Sequence, residues 1–249
     1  RPVRHTLCTE YYDFDIKNCQ PHVMLCLMKE EAPLELKMYV EERDSIIHTH
    51  MEMWNIKPED KWLVKQLFIR LFFLGTYDGY RVDMREHGYN LPEFAPRFVE
   101  KLQLALVSCA RLLKKDNPNL WRVSVNRNKE KGKSPDEHVV LRTFMSLFLQ
   151  TIERRIVESV METIHNTTNL MRREKFPGYI YTSYEYDGFK LLKENVDAYN
   201  DGVESVLLLI ELLTYELSGM PLSWSVKEMD EAFDLSDVEV PPISMKELM

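Results

Sequence analysis

The 249-residue chain reads as an α+β fold, a small antiparallel sheet with a large helical insertion. Three observations predict it. Tyr11-Tyr12-Asp13-Phe14-Asp15-Ile16 has the aromatic and acidic alternation of a strand with one face buried. Asp187-Gly188 lies between two runs rich in aromatic and aliphatic residues, 179–184 and 189–192, a strong short-range hairpin signal because both central residues of the tight turn want positive φ. Between these strands, apolar positions recur mainly with a helical period.

The first strand is predicted over residues 6–16. Pro21 fits the first turn of the helix that follows, around 23–28, where its missing N–H costs nothing. Residues 33–47 read as one further helix. Lys57-Pro58-Glu59-Asp60 is a helix start with acids in its first turn, and the pattern from Lys61 to Phe73 continues it, basic at one end and aromatic at the other, with Gly75 as its C-cap. Residues 76–92, with Gly79, Gly88 and Asn90, are turn-rich. An amphipathic helix over 92–115 stops at Asp116-Asn117-Pro118-Asn119, and residues 121–135 read as strand then mobile loop. Residues 136–166 show the strongest helical period, with Val140, Phe144, Leu147, Phe148, Ile152, Ile156, Val160 and Ile164 on one face. The hairpin, a helix over 203–218 stopped by Gly219-Met220-Pro221 and a last strand over 222–226 complete the order. This divides the chain into a first sheet part (1–56), a helical insertion with a basic loop (57–135) and a second sheet part (136–249).

The net charge of −8, from 32 basic and 40 acidic residues, is the main compositional argument against a nucleic-acid enzyme. The charge is uneven, however. Arg122, Arg127, Lys129, Lys131 and Lys133 face only Glu130 within their stretch, and the segment after Glu228 is acidic. Such a strip is either a solvated loop or a track for a phosphate backbone. Cys8, Cys19, Cys26 and Cys109 form no CxxC pair and sit in apolar patterns, as reduced core thiols of an intracellular protein do. No run approaches the roughly 18 apolar residues of a membrane span, and no signal peptide is visible. The chain is therefore expected in a cytoplasm, nucleus or viral factory, without a membrane partner. Its Arg1-Pro2 start reads as that of an excised piece.

Asp15 and Asp187 stand at the ends of strands expected to be neighbours. Paired carboxylates delivered this way suit two divalent ions about 4 Å apart, one activating an attacking oxygen and one steadying a leaving oxygen. Asp13 shares a strand face with Asp15 and either replaces or assists it. His48 and His50 lack a patterned third ligand, so a solvated helix face is expected there. Asn166-Thr167-Thr168 matches a glycosylation acceptor, which means little without a secretion signal.

The order of these segments resembles the palm and fingers of the family A-like DNA polymerases of large DNA viruses, virophages, phages and related mobile elements. Asp15-Ile16-Lys17-Asn18-Cys19-Gln20-Pro21 is similar to the first palm motif, Lys61-x-x-x-Lys65 with the aromatics before Gly75 to the fingers helix, Phe148-Leu149-Gln150-Thr151-Ile152-Glu153 to the helix before the second carboxylate strand, and Tyr186-Asp187-Gly188-Phe189 to the His-Asp segment of the cellular enzymes. Tyr186 stands where those enzymes have His, the distance from Lys65 to Gly75 is one residue longer, and no exonuclease-like or thumb segment is visible.

The resemblance implies a palm-like sheet with a fingers-like insertion, and a template-directed nucleotidyltransferase, DNA-directed DNA polymerase in type. It implies two Mg2+ ions on Asp15 and Asp187, with Asp13 in reserve, and Lys65 at the triphosphate of an incoming deoxynucleotide. Lys61, Asn18, Gln20 and either Phe72 or Phe73 complete the nucleotide site. Gln150 and the five basic residues would meet a DNA primer-template, and a replicative helicase or primase would be a further partner. The alternatives are a non-catalytic palm-like nucleic-acid-binding module of a replication complex, and a two-metal nuclease, which the fingers-like lysines argue against.

Overall fold

A computed structural model describes residues 9–173, 176–180 and 188–228, with backbone course alone for residues 172–180. Strand β1 (Tyr11–Ile16) passes into helix α1 (Cys19–Met28) through Asn18, whose left-handed backbone, φ 49°, is one that Asn tolerates. Helices α2 (Leu34–Glu41), α3 (Arg43–Met53), α4 (Lys61–Phe72), α5 (Tyr77–Glu86), α6 (Arg97–Asp116), α7 (Pro118–Glu130) and the 31-residue α8 (Glu137–Thr167) follow. A short ladder pairs β2 (Arg172–Arg173) with β3 (Phe176–Ile180). Then come β4 (Gly188–Leu192), α9 (Lys193–Asp197), α10 (Val203–Ser218) and β5 (Trp224–Glu228).

The main sheet has the order β4-β1-β5, all antiparallel, so the first strand of the chain is its centre. Phe14 lies opposite Phe189 and Val226, and Asp15 opposite Gly188 and Ser225. Alternation then sorts the faces. Phe14, Phe189 and Trp224 are buried on one side, with ring centroids 6.1 Å and 5.5 Å apart along that chain of contacts. This face packs toward α8 and α10. Each fully buried aromatic of this kind contributes roughly 2–3 kcal/mol by removing apolar surface from water. The opposite face carries Asp13, Asp15, Lys190 and Lys227.

A second part of the same core lies among α2 to α6. Tyr39 packs its ring 4.7 Å from Phe68 and 5.4 Å from Phe72, and burial pushes the Tyr39 phenol up to about 12. Tyr80 donates to the Leu63 carbonyl at 3.1 Å and pins α5 onto α4. Along α8, the face expected to be apolar is the packed one, with Leu147 and Ile152 only half-buried. Cys19 and Cys109 are buried, Cys26 is half-buried, and all three are free thiols. No described helix is long and apolar enough to cross a membrane.

Five local expectations are corrected. Residues 33–47 are not one helix, because the backbone opens at Glu42 and separates α2 from α3. The stretch 76–92 contains α5: Thr76 accepts from the Gly79 N–H at 3.2 Å as an N-cap, and Tyr77, Tyr80 and Met84 bury one face despite the glycine. The basic stretch is helix α7 rather than strand and loop, since Pro118 occupies its first turn and Ser124 and Asn128 face inward. Gly75 does not take the left-handed cap position. Leu74 does, at φ 56°, with its N–H bonded to the Leu71 carbonyl and that of Gly75 to the Arg70 carbonyl, both at 2.8 Å. Gly75 is needed instead because a Cβ there would lie 2.2 Å from Arg70 Cγ, while the Arg70 guanidinium donates to Asp83.

The fifth correction is His50, expected on a solvated face. His48 is exposed and lies 3.2 Å from Glu52, but His50 is buried against Trp54 and Phe68, ring centroids 5.0 and 5.5 Å away. Its Nδ1 meets the Ile46 carbonyl at 2.7 Å, and Nε2 has no partner. Burial therefore holds this imidazole below its ordinary value of 6.5. The unfolded chain binds the proton more readily, so His50 leaves stability unaffected above about pH 6.5 and removes it progressively as pH falls from there through the lower folded value. Urea midpoints measured at pH 7.5 and pH 5.5 should differ less for His50→Phe than for the native chain.

Candidate active site

At the C-terminal end of β1 a cleft of about 810 Å3 opens. Asp15, Lys17 and Asn18 form one wall, Glu42, Arg43 and Asp44 at the start of α3 form another, and Ser225 and Lys227 of β5 close the third side. Asp15 reaches it because the strand alternates: Phe14 and Ile16 point into the apolar core and hold the backbone, which turns the carboxylate outward. Lys227 Nζ donates to Asp15 Oδ2 at 2.5 Å.

Gly188, opposite Asp15, makes this carboxylate position possible. A Cβ on residue 188 would lie 2.1 Å from the Phe14 carbonyl oxygen and 2.7 Å from Asp15 Oδ1. Gly188 sits inside β4 without a positive φ, so close approach rather than turn geometry requires glycine, a correction to the reading of Asp-Gly as the centre of the turn. Asp187, its covalent neighbour, and residues 181–186 lie outside the described residues. Strand β4 pairs with β1, as expected for the second arm of the hairpin, whereas residues 176–180, which overlap the predicted first arm only at 179 and 180, pair with β2.

Asp13, two residues from Asp15, is placed differently. It is buried, lies opposite both Lys190 and Lys227 in the register, and approaches Lys190 Nζ at 3.6 Å. Lys190 is itself fully buried. Burying two opposite charges together is tolerable where burying either alone is not. Asp13 thus faces an internal counter-ion rather than the cleft, for which alternation alone could not distinguish it from Asp15.

Lys65 lies beside this cleft. Burial first, then the nearby Arg43, Lys61 and Lys227 cations, hold its ammonium below the ordinary lysine value, against an opposing pull from Asp44. Lys61 is 3.8 Å from Asp44. The two fingers-like lysines, Arg43 and Lys227 therefore bring positive charge to a cleft whose carboxylates are the half-buried Asp15 and, on the α3 side, Glu41, Glu42 and Asp44. Arg43 and Lys227 were not singled out in the sequence. Lys227 stands one residue beyond the predicted last strand, 222–226, and the observed strand runs on to Glu228 and includes it.

Gln20 and Asn18 differ in placement. Asn18 lines the cleft, and its Nδ2 has no partner. Gln20 Nε2 donates to Glu153 Oε1 at 2.7 Å, tying α1 to the middle of α8, and Glu153 is buried. The motif residues around Asp15 and around Gln150 thus meet through a contact that neither motif alone reveals. Phe72 is buried against Tyr39, which excludes it as a stacking surface on this side.

Phe73 instead opens onto a second cleft of about 470 Å3 between the end of α4 and helices α7 and α8, together with Arg127, Lys131, Lys133, Arg142 and Gln150. No carboxylate lines it among the described residues. Arg122 and Lys129 of the basic strip are not in it. Arg142, eight residues before Gln150 on the same helix, is a member the sequence reading missed. Its helical spacing to Gln150 was the available signal.

Among the described residues no group of three or more His, Cys, Asp or Glu side chains is assembled for a metal ion. A divalent cation at the first cleft would rest on Asp15, with Glu41, Glu42 and Asp44 the other carboxylates lining it. No protein-family model matches this chain, and no curated protein matches it.

Asp13 and Asp15 should separate by stability. Asp13→Asn leaves the buried Lys190 ammonium without that counter-charge and should cost on the order of 3 kcal/mol in urea unfolding, while Asp15→Asn, at a partly exposed pair, should cost under about 1 kcal/mol. Gly188→Ala should cost about 1–3 kcal/mol because strand pairing beside Asp15 must shift. Equal losses for the two Asn variants would contradict these placements.

Proposed function

We propose that this chain is the palm and fingers region of a template-directed nucleotidyltransferase, DNA-directed DNA polymerase in type. The observation that carries the reading is the β1–β4 register, which sets Asp15 against Gly188 at a cleft lined by Arg43 and Lys227, with Lys65 outside the lining but within the electrostatic reach of both. The register speaks for Asp15 and Gly188 alone, since Asp187 lies outside the described residues. Asp15 and Asp187 would hold two Mg2+ ions, which when bound activate a primer 3′-hydroxyl and steady the departing pyrophosphate oxygen.

The residues of the chain supply the rest. The 3′-oxygen forms a bond to the α-phosphorus of a deoxynucleoside triphosphate as the bond to pyrophosphate breaks. Lys65, with Arg43 and Lys61 near it, offsets the negative charge growing on the leaving phosphates. Lys227 neutralises Asp15 while no other cation is there. Half-burial of Lys65 strengthens its field, since less water screens it. The Gln20–Glu153 bond keeps α1, and with it the end of β1, in fixed relation to α8. Phe73, Gln150 and the cations of the second cleft would meet the primer-template.

Two observations favour a second reading. Tyr186 replaces the family's His beside Asp187, and the second cleft is a stronger polyanion site than the first, as a non-catalytic nucleic-acid-binding module would have.

Incorporation assays with a primer-template, deoxynucleotides and Mg2+ separate the two. Asp15→Asn and Asp187→Asn should each lower incorporation more than about 100-fold while leaving DNA affinity within a few-fold of native. An active Asp187→Asn chain would sink the catalytic assignment. Lys65→Ala should raise KM for the deoxynucleotide and lower kcat, together about 100-fold in kcat/KM, because a triphosphate contact acts in both ground and transition states. Lys61→Ala should lose less than about tenfold, its ammonium being already engaged with Asp44. Equal losses would reduce α4 to a carrier of surface charge.

A further inference from the structure

We propose that a pocket between α6, α7 and the start of α8 receives one unstacked base of a single-stranded nucleic acid, whose phosphates pass over Lys129 and Lys133 into the neighbouring cationic cleft. The inference rests on reading the chain as nucleic-acid-binding and is independent of catalysis at Asp15. The pocket is about 270 Å3, lined by the apolar Trp121, Val125, Pro135 and Val140 and by the polar Asn128, Lys114, Lys129, Lys133 and Glu137, whose carboxylate is neutralised by Lys114 at 2.8 Å. The volume is room for one planar ring system, below the roughly 300–1,000 Å3 of sites for drug-sized ligands.

Asn128 points to a ligand rather than a packing fault. It lines the pocket and is only 2 % exposed. Thr143 Oγ1 donates to its Oδ1 at 2.8 Å, while its Nδ2 has no partner. Turned end for end, the amide would still leave one end unpaired, because the Thr143 hydroxyl meets only one. A buried amide end without a partner is costly, and an occupant with hydrogen-bonding edges removes that cost. Nucleobase edges carry both donors and acceptors, so either sense of the amide is served. Trp121 is held for the purpose: Lys114 Nζ lies 4.0 Å from its ring centroid and 2.8 Å from Glu137, and Phe144 meets its edge at 6.2 Å.

Charge complementarity selects the occupant. Lys133 lines both this pocket and the second cleft, where Arg127, Lys131 and Arg142 accompany Phe73. Passing from one to the other, apolar and aromatic surface alternates with cations, matching the alternation of base and phosphate along a single strand. On a chain of net charge −8 this is a local feature and not a general surface property. A free mononucleotide shares the chemistry of the pocket but not of the adjoining cleft.

The test is photocrosslinking of a short single strand carrying one 5-iodouracil, without metal or deoxynucleotides, and mapping of the linked peptide by mass spectrometry. The crosslink should fall on Trp121 or its α7 peptide. An abasic unit at the crosslinking position should weaken binding about tenfold. Val125→Trp, which fills the pocket, should cost the same and make the chain indifferent to the abasic unit, with circular dichroism confirming its fold. Asn128→Leu, similar in shape but without hydrogen-bonding ends, serves as the second variant and should lose affinity for the intact strand only. Arg142→Gln should lower the slope of log affinity against log salt by about one unit, and Arg122→Gln, outside both recesses, should not.

Crosslinks confined to other segments, or an abasic unit without effect at every position, would overturn the proposal. So would a mononucleotide competing as well as the strand, or an acidic aromatic peptide displacing it. Loss of incorporation with intact base capture would count against the Asp15 site alone.

Discussion

The candidate active site depends on one steric condition, that the strand beside Asp15 carries no side chain at the position opposite it. The central strand of a three-stranded sheet has neighbours on both edges, and its outward carboxylate must fit between their side chains. At Asp15 those neighbours are Gly188 and Ser225, both small, and Lys227 arrives diagonally from the same edge as Ser225. Two residues earlier the neighbours are Lys190 and Lys227, and the corresponding aspartate is closed in. The same residue type, on the same face of the same strand, is a half-buried anion paired with Lys227 at a cleft in one place and half of a buried ion pair in the other.

This arrangement makes the polar face of the sheet a charge ladder. Its buried rung costs desolvation energy that only the pairing offsets, and its half-buried rung is left to exchange partners with solvent ions. The apolar face does the anchoring. Phe14, Phe189 and Trp224 lock the three strands by ring contacts, so the ladder can hold strained electrostatics without setting the register itself. Around the cleft the positive side chains come from separate elements, α3, α4 and β5, which is why no single segment of the sequence looked like an anion site.

Much of this was legible in the residues, and the parts that were not share a cause. The α+β class, the strand at Tyr11–Ile16, the long α8 and the bounds of α10 followed from period and punctuation. Helix α5 was obscured because Gly79 and the flanking Gly88 and Asn90 outweighed a three-residue buried stripe, and α7 because its exposed face is basic and its buried residues are Ser124 and Asn128 rather than aliphatic. In both, tertiary packing decided against local propensity. At the site, Asp15 was readable as a strand-end carboxylate, but the burial of Asp13 required knowing which residues of β4 and β5 stand opposite. Phe72 and Phe73 differ by 100° of helix rotation, and only the position of Tyr39 assigns one to the core and the other to a cleft. Arg43 and Lys227 are solitary cations in sequence and neighbours only in space.

The joint after α4 shapes how force can travel through the helical part. Gly75 lets the backbone lie against the aliphatic stem of Arg70, Asp83 grips the guanidinium, and Tyr80 is bonded to Leu63 near the other end of the helix. Two helices fastened at both ends form a bracket, not a hinge. Lys65 stands on the stiff arm of that bracket, so its distance from α5 is fixed by construction. A displacement of Lys65 relative to Asp15 therefore carries α4 and α5 together as one body.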